Sequence, residues 1–306
     1  MALFVMALGA GLCGIVDAHT ISAASSLTRA SSANWLAATM PLLVAAILYA
    51  LGATNLWRAQ RRSRYRLLAR ISAFGAGLGV LGIALLSPLD RVSAELFSAH
   101  MVQHELIMLA AAPLLVLGHP LPLFLWAFPG RARPGLVTFF HGRLIRRIWS
   151  VLSGAGCAWL LHALALWVWH VPRFFNAGLS RQTVHDLQHL TFLAAALLFW
   201  SALFEARGAH QRGAGIVYLF TTTIHTAVLG ALIALASHPW YAESPQPSMG
   251  WQLTSLEDQQ LGGLIMWVPG CIVYVGCALV LFARWITAST DLPVRGAGGA
   301  RDGARV

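Results

Sequence analysis

Two short stretches of this chain carry paired imidazoles at the same spacing. Residues 100–104 read His-Met-Val-Gln-His, and residues 185–189 read His-Asp-Leu-Gln-His. In a helix, positions i and i+4 share one face at about 5–6 Å, so His100 and His104 stand side by side, as do His185 and His189. On facing helices, two such pairs offer three or four nitrogen ligands to one ion, or a ladder of two-ligand sites. Imidazole suits copper and zinc, and thioether sulfur adds a preference for Cu(I). Met101, Met108 and Met266 fall in or near the same region, with Met108 one turn below His104.

Other imidazoles extend the pattern. His162, Leu166 and His170 share a helical face, with the two histidines about 12 Å apart along the axis, a spacing that suits steps on a path. His225 lies near the middle of its apolar segment and is open to three roles: relay, deep ligand or hydrogen-bonding core residue. His19 joins the set if the chain is cleaved after Ala18, because its α-amine and imidazole would then chelate together. Glu105 follows His104 and either orients a histidine, pairs with an arginine or is protonated. Asp90, Glu95, Glu243, Glu257 and Asp258 fall in the outer loops, either as a solvated face or as a funnel that draws in cations. The cysteines, Cys13, Cys157, Cys271 and Cys277, have no CxxC spacing and read as small apolar residues.

The elements that must position these groups are membrane spans. Of 306 residues, 58% are hydrophobic and 10% charged, with mean hydropathy +0.67, against roughly 25% charged residues in soluble domains. A soluble enzyme, a disordered chain and a nucleic-acid binder are excluded, despite a formal charge of +10. Runs of about 20 apolar residues, each long enough to cross a bilayer, place spans near Leu36–Trp57, Ile71–Leu86, Phe97–Leu117, Trp149–Val171, Val184–Phe204, Ala214–Ala236 and Gly263–Trp285. The expected fold is an all-α polytopic helical bundle of about seven spans over residues 19–285. Residues 1–18 are a cleaved signal peptide or an extra helix, and residues 286–306 a disordered Gly/Arg-rich tail.

Charge orients the bundle. All 21 basic residues are arginine. Those after the first span, in the segment 118–148, in the 205–213 loop and in the tail fall on one side, leaving Arg29, Arg91, Arg173 and Arg181 on the other. By the positive-inside rule the N-terminal segment is outside and the C-terminal tail is in the cytoplasm, with lipid around the bundle. The proline-broken segment 118–148 reads as an interfacial element on the cytoplasmic face.

The two imidazole stretches belong to a longer internal repeat. Each opens a span, each is followed by Leu-Ala-Ala-Ala (109–112 and 193–196), and each is preceded by a loop proline, Pro88 or Pro172. Parallel repeats of this kind point to a pseudo-two-fold axis along the membrane normal, across which the two faces would meet.

In SPLDRVSAELFSAHMVQHELIMLAAAPLLVLGHP, WHVPRFFNAGLSRQTVHDLQHLTFLAAALLFW and DQQLGGLIMWVPG, the chain resembles the multi-spanning CtaG-type family of cytochrome c oxidase assembly factors. The resemblance covers most of the chain between Ser87 and Gly270. It marks Ser87, Pro88, His100, Met101, Gln103, His104, Pro113, Trp169, His170, Pro172, His185, Gln188, His189, Asp258, Gln259, Gly263, Met266 and Trp267. It implies a bundle of about seven helices that matures the copper sites of haem–copper oxidases.

The expected function is therefore a non-enzymatic assembly factor. It would take copper, as Cu(I), at a periplasmic-side cluster drawn from His100, His104, His185, His189, His170, Met101, Met266, His162, His225 and His19. A periplasmic copper donor and a haem–copper oxidase subunit would be its partners. Two other classes compete. A haem-binding electron carrier needs ligands at matched depth on opposite helices, and a stacked haem pair would want histidines about 13 residues apart on each helix. A copper or proton transporter would use His162 and His225 as mid-membrane steps, but its cytoplasmic half is poor in ionisable groups.

Overall fold

The computed structural model describes residues 23–59, 64–205, 209–241 and 251–290, and among these every regular element is helical. The helices are α1 Ala23–Ala59, α2 Arg64–Leu86, α3 Pro88–Ser93, α4 Phe97–Leu117, α5 Pro120–Ala127, α6 Arg133–Phe140, α7 Arg143–Leu152, α8 Ala155–Trp169, α9 Pro172–Ser180, α10 Gln182–Glu205, α11 Ala209–Ala234 and α12 Ser255–Thr290. Residues 1–22, with His19 and the cleavage question, and residues 291–306 lie outside the described residues.

Among the described residues, six helices are long and apolar enough to cross a membrane: α1 over Thr39–Ala59, α2, α4, α10, α11 and α12. The fourth expected span is bent. Trp149–Val171 is not one straight helix: α7 and α8 meet at a 66° bend. The bend falls at Ser153–Gly154, where the α7 carbonyls of Trp149 and Val151 are taken by the backbone N–H groups of Ser153 and Gly154. At 1.5 Å per residue the 15 residues of α8 cover about 22 Å, short of the roughly 30 Å hydrocarbon core. The pair counts as one span only together.

The repeat is visible in three dimensions. Each HxxQH helix follows a short helix with proline in its first turn, α3 before α4 and α9 before α10. Ser87 caps α3, its Oγ accepting from the Leu89 N–H at 3.1 Å. The helices α4 and α10 run side by side in one direction. Their first turns meet through His100 and His185, and further along the Trp200 indole donates to the Met108 carbonyl at 2.9 Å.

That carbonyl is free for a definable reason. Residues Leu106–Ala111 form a π-helical stretch within α4, with the Ala112 N–H on the Ile107 carbonyl. In that register the next donor would be Pro113, which has no N–H. Trp200 supplies the missing partner.

Close helix approach rests on particular glycines. A Cβ on Gly262 would strike the Phe97 ring, and one on Gly263 would strike the Ala234 backbone. Thus α12 lies against α4 on one side and α11 on the other. The helix α5 is drawn against α1, where a Cβ on Gly52 would collide with the Leu123 carbonyl. It is fastened there by Tyr49 Oη to the Gly118 carbonyl at 2.8 Å and Asn55 Nδ2 to the Trp126 carbonyl at 2.9 Å. The helices α6 and α7 bury no residue, and α7 presents Leu144, Ile148 and Val151 outward. An arginine-rich helix with one open apolar face suits the interfacial end of the bent span. Around the bundle, Ile47, Ile83, Leu160, Phe220, Ile272 and Leu279 are exposed, an apolar belt of the kind lipid covers.

Candidate metal centre

The first turns of α4 and α10 place four imidazoles together. Ring centroids are 4.3 Å apart for His100–His104, 4.2 Å for His185–His189, 5.2 Å for His100–His185 and 5.3 Å for His104–His189. One ring nitrogen from each of His100, His185 and His189 lies within 4.8 Å of the other two. Three nitrogens around one ion at about 2.0–2.1 Å would stand roughly 3.5 Å apart, a contraction within the reach of side-chain rotation.

His170 joins from α8. Its ring centroid is 6.3 Å from that of His104. Its Nδ1 lies 2.7 Å from the Leu166 carbonyl. A carbonyl only accepts, so Nδ1 carries the proton and Nε2 keeps its lone pair. His170 lies just past the end of α8, and burial pushes its imidazole down to about 4. The ring is neutral at pH 7, the form that binds metal.

This donor set is all imidazole, which suits a borderline cation such as copper or zinc. In this cluster, five buried ring nitrogens have no hydrogen-bond partner: His100 Nε2, both nitrogens of His104, His170 Nε2 and His189 Nε2. Buried polar groups are nearly always satisfied, and a cluster of exceptions calls for a ligand. The aromatic rings of Phe175 and Phe192 pack on His100 and His104 at 5.3 and 4.6 Å, closing the cluster from below and from the side. A cavity of about 200 Å³ opens on the outer end, with His100, His185 and Asp90 in its wall.

The supporting groups explain other marked residues. Asp258 is 2% exposed, and its carboxylate accepts from the Phe97 and Ser98 N–H groups at 2.6 and 3.0 Å. It caps the helix that carries His100 and His104. Gln103 donates through Nε2 to the Ala84 carbonyl at 2.7 Å and to Asp90 Oδ1 at 3.0 Å, fixing α4 to α2 and α3. Gln188 is buried where Gly178 leaves room, since a Cβ there would sit 3.1 Å from Gln188 Oε1. The Trp169 indole donates to Thr191 Oγ1 at 2.8 Å, and Tyr241 Oη donates to the His170 carbonyl at 3.0 Å. The Gln259 Oε1 accepts from the Trp240 N–H at 2.6 Å.

Several expected members lie elsewhere. Met101 is buried against Gly262 of α12, its Cγ 3.2 Å from a Cβ there. Met266 is buried on the same stripe of α12, one turn from Gly262. Both occupy the α4–α12 seam, while His100 and His104 face α10. Met108 is buried in the π-helical stretch. Glu105 points at α12, its Oε2 4.0 Å from the Cβ position of Gly270. His162 and His225 form a separate pair deeper in the bundle, with ring centroids 6.2 Å apart.

The acidic loop residues do not form one funnel. Asp258 is a buried cap, and Glu257 is the acid of a reciprocal cap with Thr254 at the start of α12. Glu243 lies outside the described residues. Sequence reasoning missed the cap by Asp258 and the Trp200 bond to Met108. Both join residues far apart in the chain, and only Pro113 carried a local sign of the second.

Residues 47–288 match the family model described as cytochrome c oxidase caa3 assembly factor. Uncharacterised proteins of Mycobacterium bovis and Mycobacterium tuberculosis are each 26% identical over 250 residues, covering 79% of this chain. The chain spans 37% of the length of these relatives. No solved structure matches it.

Proposed function

Because this chain belongs to the cytochrome c oxidase caa3 assembly factor family, we propose that it delivers copper, as Cu(I), to a haem–copper oxidase during assembly. The ion is held by His100, His185 and His189, with His104 and His170 beneath as exchange partners. The observation that carries this reading is the convergence of the two HxxQH turns, three ring nitrogens lying within 4.8 Å of one another and five buried ring nitrogens of the cluster unpartnered.

The geometry favours transfer over storage. More imidazoles are present than one Cu(I) needs, so an ion can change partners one nitrogen at a time without returning to water. The buried cluster excludes hard, strongly hydrated cations, which keep oxygen ligands. The outer cavity, at about 200 Å³, falls below the roughly 300–1,000 Å³ of organic ligand sites, which disfavours haem there. We place this end at the periplasmic side of a bacterial inner membrane, where a copper donor loads it and an oxidase subunit unloads it. The role is a chaperone's and not an enzyme's.

Elemental analysis of the detergent-purified full chain tests the reading. Wild type is expected to retain copper, and the variant His100→Ala/His104→Ala to retain less, losing the equivalent held by this cluster, while remaining inserted and monodisperse. Undiminished copper in that variant would refute the site.

A further inference from the structure

We propose a second cation site deeper in the bundle, where His162 of α8 and His225 of α11 grip a soft monovalent ion between their rings, beside Tyr274 of α12. It uses none of the outer histidines. It depends on the copper reading above only for the identity of the ion.

Three helices bring these groups together. His162 is fully buried, and its Nε2 lies 3.3 Å from Tyr274 Oη. Its other nitrogen, Nδ1, is buried with no partner, as are both ring nitrogens of His225 and the indole nitrogen of Trp159. The Trp159 ring stands edge-on to His225 at 5.4 Å. Four unpartnered polar atoms at one place in an apolar bundle mark a site built for something it binds.

The spacing leaves room for one two-coordinate ion. Two imidazoles bound linearly to one metal, at about 2 Å per bond, place their ring centres about 6 Å apart. The His162 and His225 centroids are 6.2 Å apart. A d10 monovalent ion accepts two such ligands in line. A divalent ion carries a larger desolvation penalty and needs more donors or a carboxylate to enter an apolar interior.

The pair is distinct from the outer cluster. His162 and His170 are eight residues apart on one helical face, about 12 Å along the axis. Between the two levels α10 contributes aromatic rings. Phe192 packs on His104 at 4.6 Å, and Phe199 packs on His162 at 4.4 Å. No single ion reaches both groups.

Anaerobic titration of the purified full chain with Cu(I), in competition with a chromogenic chelator, tests the proposal. Wild type is expected to bind two equivalents. The variants His162→Ala/His225→Ala and His100→Ala/His104→Ala are each expected to bind one. Should the inner double variant fail to fold, His225→Gln is expected to weaken one equivalent at least tenfold and leave the other unchanged. A single equivalent in wild type, abolished in His100→Ala/His104→Ala, would overturn the inner site and leave the outer one standing. No binding in wild type would overturn both. Two undiminished equivalents in the inner variants would leave the hydrogen-bonded Tyr274–His162 pair as a proton relay or core contact and overturn the proposal.

Discussion

His170 shows how one residue's environment fixes its chemistry. Its Nδ1–H is committed to the Leu166 carbonyl, so the ring can offer only Nε2, on the side of His104. Burial holds its folded value near 4, below the roughly 6.5 of a free imidazole. As pH falls through 6.5 the unfolded chain takes up a proton that the folded chain refuses. The contribution of His170 is therefore full above about 6.5 and is lost as pH drops towards 4, by up to about 3 kcal/mol. The metal-free protein is expected to unfold more readily at pH 5 than at pH 7.5. His170→Asn should flatten that dependence; an unchanged profile in the variant would show that other groups set it. The pairs His100–His104 and His185–His189 were legible because their spacing acts within one helix. Their meeting, and the turn of His170 towards His104 instead of along a path to His162, depend on how three helices pack. The thioethers show the same limit: Met101 sits beside His100 in the chain, yet one helical step turns it onto α12.

The helices locate these rings through contacts made far from them. The outer end of α4 is held by Asp258, which satisfies two N–H groups that the helix itself leaves free. Asp258→Ala is expected to lower stability by about 1–3 kcal/mol and to weaken copper retention, because the first turn of α4 carries His100. Thermal unfolding and copper affinity of the same preparation check both. Loss of stability with unchanged affinity would mean that the cap does not position the site. Apolar runs gave the existence of the long helices, since a bilayer demands about 20 such residues. They gave the ends less well. The helix α12 starts at Ser255, before the apolar stretch, because Asp258 and Gln259 find buried partners, and it runs on to Thr290. The 66° bend between α7 and α8 had only Ser153 and Gly154 to announce it.

Across the whole molecule, charge and chemistry separate by level. Arginines crowd the end that carries α5, α6 and α7, while the imidazole cluster and its cavity lie at the other end. Ser180 is exposed at the cavity end and Ser150 is exposed on α7. A cysteine at 180 is expected to react with a membrane-impermeant maleimide in intact cells, above the level of the native thiols. A cysteine at 150 should react only after permeabilisation, and the opposite pattern would invert the bundle. The internal repeat was legible as a motif, and the two proline-led helices preceding α4 and α10 give it its structural form. The most direct test of the central claim is X-ray absorption on the full chain carrying His162→Ala/His225→Ala, where the outer cluster is the proposed site that remains, loaded with one equivalent of Cu(I). A shell of imidazole nitrogens at roughly 2.0 Å, lost in His185→Ala/His189→Ala, is the predicted result. A sulfur-dominated shell, or a nitrogen shell indifferent to that substitution, would contradict it.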